Sequence, residues 1–268
     1  MIRALYHGWR EGADAAALAD DVASASRLRA DFFFSRLLRL GWQAGRDEGR
    51  LVRLGGMAIR YRFNRGDLQS LREVLVLEVY AAELGFTPSS VLDLGANIGL
   101  TSLWLYRRHG PQAGQTFQLI AVEAAAENAG LANANLVANR VPAEVIHAAA
   151  GLVSGQAWFE TRAASNLGRM LDHAEPGAVP VTVVGIRDLL AKFPHGRVDL
   201  VKMDIEGGEE ALLGHDTTWL EGVRALMVEW HDDRADSRPL IQKVTAAGFE
   251  HRRLNESRQD NLSLFVKR

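Results

Sequence analysis

Val91-Leu92-Asp93-Leu94-Gly95-Ala96-Asn97-Ile98-Gly99-Leu100 is the stretch around which the chain is read. A short apolar run ends in an acidic residue and two spaced glycines, and helix-forming residues follow. Val91, Leu92 and Leu94 read as a buried strand, and Gly95 and Gly99 allow a tight turn whose backbone can approach a ligand where a Cβ would obstruct it. Leu100 to His109, with Arg107 and Arg108 near its end and Gly110 beyond, reads as a helix whose positive N-terminus faces that ligand.

The spacing narrows the ligand. Nicotinamide and flavin domains use G-x-G-x-x-G, with a third glycine for helix packing, whereas the order here is acid-x-Gly-x-x-x-Gly. Asp93 at a strand end would repel a dinucleotide pyrophosphate but would pair with a cationic amino acid. S-adenosyl-L-methionine, with an ammonium, a sulfonium and no phosphate, suits that position. The plain alternative is a strand-to-helix turn that holds nothing.

The 268 residues are 47% hydrophobic, enough for one large α/β domain plus an N-terminal extension. Lys+Arg at 31 against Asp+Glu at 33 gives a net charge of -2. No global field recruits nucleic acid. The absence of cysteine excludes disulfides, zinc-thiolate sites and cysteine nucleophiles, and agrees with a reducing cytoplasm. Met1 to Asp14 carries too many charges for a signal core and no later apolar run would span a bilayer, so a soluble, cytoplasmic protein is expected.

Two domains are expected: an N-terminal helical arm over 1–50, and an α/β domain over 51–268 that opens with a hairpin and a helix at 51–88. In the arm, Leu18, Val22, Ala25, Leu28 and Phe32 recur at helical intervals from Ala13 to about Trp42, predicting one or two helices. Arg27, Arg29, Arg36 and Arg39 beside Phe32, Phe33 and Phe34 would suit peripheral membrane contact through 27–40, but core capping or a homodimer contact is the favoured role. Leu51 to Phe63 reads as a hairpin turning at Gly55-Gly56, and Asp67 is expected to cap a helix running through Leu71 to Leu84.

Strands and helices then alternate, as a parallel sheet requires. Strands are expected at Phe117–Val122, Val145–Ala148, Leu200–Ile205 and Ala225–Trp230, and helices at Glu127–Asn139, Ile186–Phe193 and Ser237–Ala247. A strand at 157–161 is followed by an irregular insert over 163–180. His251–Leu254 and Leu262–Val266 read as a terminal antiparallel pair.

Ligands gather at the carboxyl ends of strands in such sheets, and acids finish several of them. Asp93 ends the first and Glu123 the second, where a carboxylate can accept hydrogen bonds from both hydroxyls of a ribose; capping the next helix is its plainer role. Asp204 and Glu206 finish the fourth strand and point the same way on an extended chain. They could bind a metal, orient a hydroxyl or raise one another's pKa. Glu209 and Glu210 read only as acids favoured at a helix N-terminus. His231, after the fifth strand, is the candidate general base. His231, Asp232 and Asp233 with Asp204 also admit a divalent Mg²⁺ or Ca²⁺, which the spacing does not favour.

These residues resemble the FkbM-type, S-adenosylmethionine-dependent methyltransferases. Gly66-Asp67 before the helix Leu71 to Tyr80, Val91 to Gly99, Val201-Lys202-Met203-Asp204-Ile205-Glu206-Gly207 and Met227-Val228-Glu229 carry the likeness, from about Leu54 to the C-terminus. It implies a Rossmann-like class I methyltransferase sheet of seven strands, and methyl transfer to a hydroxyl of a sugar, glycan, glycolipid or polyketide-type product. It also implies cofactor contacts at Asp93, Gly95, Ala96, Asn97, Gly99, Glu123 and Asp204, and active-site acids at Asp204, Glu206 and Glu229. Residues 1–50 match no family pattern, and neither Asn166 nor Gly168 inherits a role. The competing classes are a nucleoside-binding module without turnover and a nicotinamide-dependent reductase.

Overall fold

The computed structural model describes residues 2–38, 41, 44–110, 116–161, 168–171, 177–232, 236–254 and 261–267. Two helices begin the chain, α1 (Ile2–Ala16) and α2 (Val22–Leu38). The helical periodicity expected from Ala13 onward is interrupted, leaving Leu18 41% and Val22 83% exposed. Ala19 bridges to Leu54 there, and Asp21 accepts from the Ser24 N–H at 2.7 Å to start a fresh helix. Tertiary pairing and a cap outweigh the apolar spacing. The aromatic run of α2 turns partly inward, with Phe32 in the core and Phe34 exposed; Arg39 and Trp42 lie outside the described residues.

β1 (Gly49–Leu54) and β2 (Met57–Arg62) form the hairpin, in register from Gly49 opposite Arg62 to Leu54 opposite Met57. α3 (Arg65–Leu71) is capped by Asn64, not Asp67. The Asn64 side chain accepts from the Asp67 N–H at 2.8 Å, while Asp67 is buried and takes the Arg62 guanidinium through both oxygens, each at 2.9 Å. Arg72–Val76 continues as a π-helical turn that stops at Leu77, well short of Leu84. Glu78 then adopts φ +46 and accepts from the Trp104 indole N–H at 3.3 Å.

The remaining elements alternate: β3 (Ser90–Leu94), α4 (Leu100–His109), β4 (Gln118–Glu123), α5 (Ala126–Ala138), β5 (Ala143–His147), β6 (Ala149–Gly151), β7 (Gly155–Thr161), β8 (Gly168–Leu171) and β9 (Ala178–Gly185). α6 (Ile186–Leu190), β10 (Val198–Met203), α7 (Glu209–Leu213), β11 (Val223–Glu229), α8 (Ser237–Ala246), β12 (Phe249–Leu254) and β13 (Leu262–Lys267) follow. The main sheet has seven strands in the order β12-β13-β11-β10-β3-β4-β5. Its strands from β11 to β5 are parallel, and β13 runs antiparallel to both its neighbours.

The insert contains more order than its composition suggests. β6, β9, β7 and β8 form a second, four-stranded sheet in that order. Residues 162–167 and 172–176, Asn166 among them, lie outside the described residues.

Side-chain alternation in the central strands sorts the core into two apolar clusters. Leu92, Leu94, Val201 and Met203 face α6, α7 and α8. Val91, Leu200 and Met227 belong to the other, which also takes in Leu28 and Phe32 of the arm, Val52 and Ile59 of the hairpin, and Leu103 of α4. Arm, hairpin and sheet thus share one buried cluster. Among the described residues no helix is long and apolar enough to cross a membrane.

Candidate functional site

From β3 the chain winds outward through β4 and β5, then returns to place β10 on the other side of β3. That reversal opens a crevice at the carboxyl ends of the strands. A cavity of about 400 Å³ occupies it, walled by the β3–α4 turn, the ends of β4, β10 and β11, the π-helical turn and Phe159 of the second sheet.

Both glycines of the turn have positive φ, but each serves a close approach within the protein. At Gly95 (φ +77) a Cβ would fall 1.7 Å from the Asp204 carbonyl oxygen, and at Gly99 (φ +80) it would fall 3.0 Å from Ala132 Cα. Gly95, Ala96 and Asn97 line the cavity; Gly99 packs α4 against α5 instead. Asn97 holds φ +48, donates its backbone N–H to Glu123 Oε2 at 2.8 Å and its side-chain amide to Ser70 Oγ at 2.9 Å.

Glu123 also accepts from the Ala125 N–H at 2.9 Å, so it secures the start of α5 as well as the β3–α4 turn. Burial raises its pKa, against the lowering effect of those two backbone N–H groups. It is on the cavity wall, with lone pairs to spare for ligand hydroxyls.

Asp93 is placed differently from the expectation. It is fully buried behind the wall, accepts from Ser102 Oγ at 2.6 Å, and lies 3.2 Å from Lys202 Nζ. The cation that answers it is therefore the protein's own. Lys202 also donates to the Gly95 carbonyl at 2.7 Å and sits 3.6 Å from Asp204. Burial pulls the lysine pKa down, but the charges of Asp93 and Asp204 more than offset this and raise it. The sequence reading gave Lys202 no role, although a lysine flanked by Val201 and Met203 inside a strand was a visible signal.

Beyond β10, Asp204, Glu206 and His231 bring one donor atom each within 4.8 Å of one another. His231 Nε2 is 3.7 Å from Asp204 Oδ1 and 3.5 Å from Glu206 Oε2, while Nδ1 is 2.9 Å from Glu209 Oε1. Glu206 adopts φ +56, a conformation that costs a non-glycine residue energy and bends the chain into the site. Burial would lower the imidazole pKa, but the hydrogen bond to Glu209 and the charges of Asp204 and Glu206 raise it to about 9. His231 is an imidazolium at neutral pH and balances these carboxylates. Asp232 turns away: one oxygen accepts from the Ser237 N–H at 3.1 Å and the other from the Asn261 amide. Asp233 lies outside the described residues.

Glu229 completes the wall and accepts from the Tyr80 hydroxyl at 3.1 Å. The nearby Asp204 charge, then burial, push its pKa up to about 8, with Lys202 and His231 opposing. Tyr80, Glu73 and Glu209 were missed as site residues, the first two because the helix expected through them hid the turn that aims them inward.

A family model described as the methyltransferase FkbM domain matches residues 93–251, more than half of the chain. Among solved structures, the 16S rRNA N2 G1207 methyltransferase RsmC of T. thermophilus, in complex with AdoMet and guanosine, is 15% identical, with 82% of this chain and 50% of that one covered at a TM-score of 0.46. Methyltransferase FkbM of Methylobacillus flagellatus KT is 12% identical over 96% of this chain and 58% of its own, at 0.44. The O-methyltransferase of Bacillus cereus in complex with SAH is 14% identical over 68% and 75%, at 0.42. The chain thus spans about half the length of the first two. No curated protein sequence matches it.

Proposed function

Because the chain belongs to the FkbM methyltransferase family, we propose that its cavity binds S-adenosyl-L-methionine and directs methyl transfer to a hydroxyl oxygen of a sugar, glycan, glycolipid or polyketide-type acceptor. The observation that carries this reading is the meeting of Glu123 and the Asn97 turn with Asp204, Glu229 and His231 in one crevice. A nucleoside anchor and titratable groups share a single cavity. The cofactor supplies an activated methyl group on sulfur, and the transfer is an in-line displacement by the acceptor oxygen.

The chain's own residues position and deprotonate. Glu123 accepts the ribose hydroxyls. Asp204, Glu206 and Glu229 orient the acceptor, and His231 takes the hydroxyl proton once its ring is neutral. With the ring pKa at about 9, base function belongs to the alkaline side. Transfer of a labelled methyl group to glycan and lipid-linked sugar fractions, followed from pH 6 to 10, tests this: the rate should climb through pH 8–9. A rate already maximal at pH 6.5 would contradict the base assignment, and transfer only to amine acceptors would contradict the acceptor class. Asp204, Glu206 and His231 bring donor atoms within 4.8 Å of one another and could hold a divalent cation, but no step of the proposed transfer requires one. A cytoplasmic setting accords with the cysteine-free composition.

A further inference from the structure

Glu209 is a buried carboxylate at the start of α7, only 2% exposed, and methyl transfer as set out above makes no use of it. Its Oε1 faces His231 Nδ1 at 2.9 Å and accepts from the Ile205 N–H at 3.3 Å. A carboxylate so placed is costly unless it is paired and hydrogen-bonded. Here the partner is one nitrogen of a ring whose other nitrogen looks toward cavity-lining Asp204 and Glu206. The hydrogen bond made by one imidazole nitrogen sets which nitrogen carries the proton and how the ring is turned.

We propose that Glu209 is a positioning residue that keeps the His231 proton on Nδ1 and presents Nε2 to the cavity as the acceptor-facing atom. Its final step, contact of Nε2 with a reacting hydroxyl, rests on the methyl-transfer reading; the orientation of the ring does not. Among the described residues, no other group hydrogen-bonds Nδ1. Asp204 and Glu206 follow β10 and face Nε2, and Glu229 ends β11 with its own hydrogen bond from Tyr80.

The test is long-range ¹H–¹⁵N spectroscopy of the full chain labelled at histidine, with His231→Gln to assign the signal. The wild-type protein should show an exchange-protected Nδ1–H, and above the titration midpoint a neutral ring with its proton on Nδ1. In Glu209→Gln the proton should redistribute to Nε2 and the midpoint should move down toward an ordinary histidine. An unprotected Nδ1–H in the wild type, a reading that needs no variant, would overturn the proposal; so would an unchanged tautomer and midpoint in Glu209→Gln. Kinetically, Glu209→Gln should lose about 10–100-fold in kcat, as removal of orienting partners does, at unaltered cofactor affinity, with Glu209→Asp recovering part. Loss of cofactor affinity at unchanged kcat would count against positioning. Spectra that shift as described in a protein with no transferase activity would uphold the placement of the proton and reject the methyl-transfer reading.

Discussion

At His231 a histidine's usual reserve of base strength is withheld at neutral pH, because three carboxylates surround a ring that burial alone would have left neutral. The consequence is a steep dependence on one side chain. His231→Ala should lower kcat by about 10²–10⁴, the usual worth of a positioned base, while cofactor affinity stays close to wild type; undiminished turnover would remove His231 from the mechanism. Residue types at the strand ends made much of this site readable. Glu123, Asp204, Glu206, Glu229 and His231 all reach the cavity, because they sit at or just past the carboxyl ends of parallel strands, where the crevice opens. Asp93 was harder to place. Its meaning depends on Lys202, which sequence puts 109 positions away but strand pairing puts directly opposite. Glu209 was hidden for a similar reason, because its partner comes from another strand and a helix-terminal acid has a sufficient local explanation.

Among the elements, those whose periodicity and boundaries agree were legible. α4 begins after Gly99 and ends before Gly110, as the glycines indicate, and the hairpin turns at Gly55-Gly56. Elements shaped by distant partners were not. The Arg72–Val76 π-turn, the break between α1 and α2, and the second sheet built from β6 to β9 depend on contacts that local propensity does not encode. The β3–α4 turn offers the clearest test at this scale. Gly95→Ala would add a Cβ 1.7 Å from the Asp204 carbonyl oxygen at φ +77. The left-handed backbone alone costs about 1–2 kcal/mol for a residue with a Cβ, and the clash must be relieved by parting β3 from β10. The variant should melt well below the wild type and lose cofactor binding. A substitution without effect on melting would show that the two strand ends do not meet this closely.

For the molecule as a whole, the site's charges tie stability to pH. His231 has a folded pKa of about 9 against an ordinary 6.5, and Glu229 about 8 against 4.5. Both raised values mean that the folded state holds protons the unfolded chain has released. Stability must then fall as pH rises. The His231 contribution is complete below pH 6.5 and lost through pH 9, and Glu229 adds a decline between about 4.5 and 8. The melting temperature of the ligand-free protein should therefore drop steadily from pH 6 to 9, and a flat or rising trend would contradict the packing of Asp204, Glu229 and His231. The alternating strands and helices were legible because their signals are local and add up along the chain, and the family through the resemblance carried by Val91 to Gly99 and Val201 to Gly207; the strand order was not. Core capping by the arm was among the roles its apolar spacing favoured, and Leu28 and Phe32 do join the shared core; which surface they would meet was not legible, since 1–50 carries no pattern that names it.

The central claim is that the crevice between β3 and β10 is a site for S-adenosyl-L-methionine, and titration calorimetry measures it most directly. S-adenosyl-L-methionine and its demethylated product should both bind the wild-type chain at one site. Glu123→Ala should weaken both by about 1.5–3 kcal/mol, the worth of hydrogen bonds to a charged group. Binding of NAD in their place, or of neither, would contradict the account.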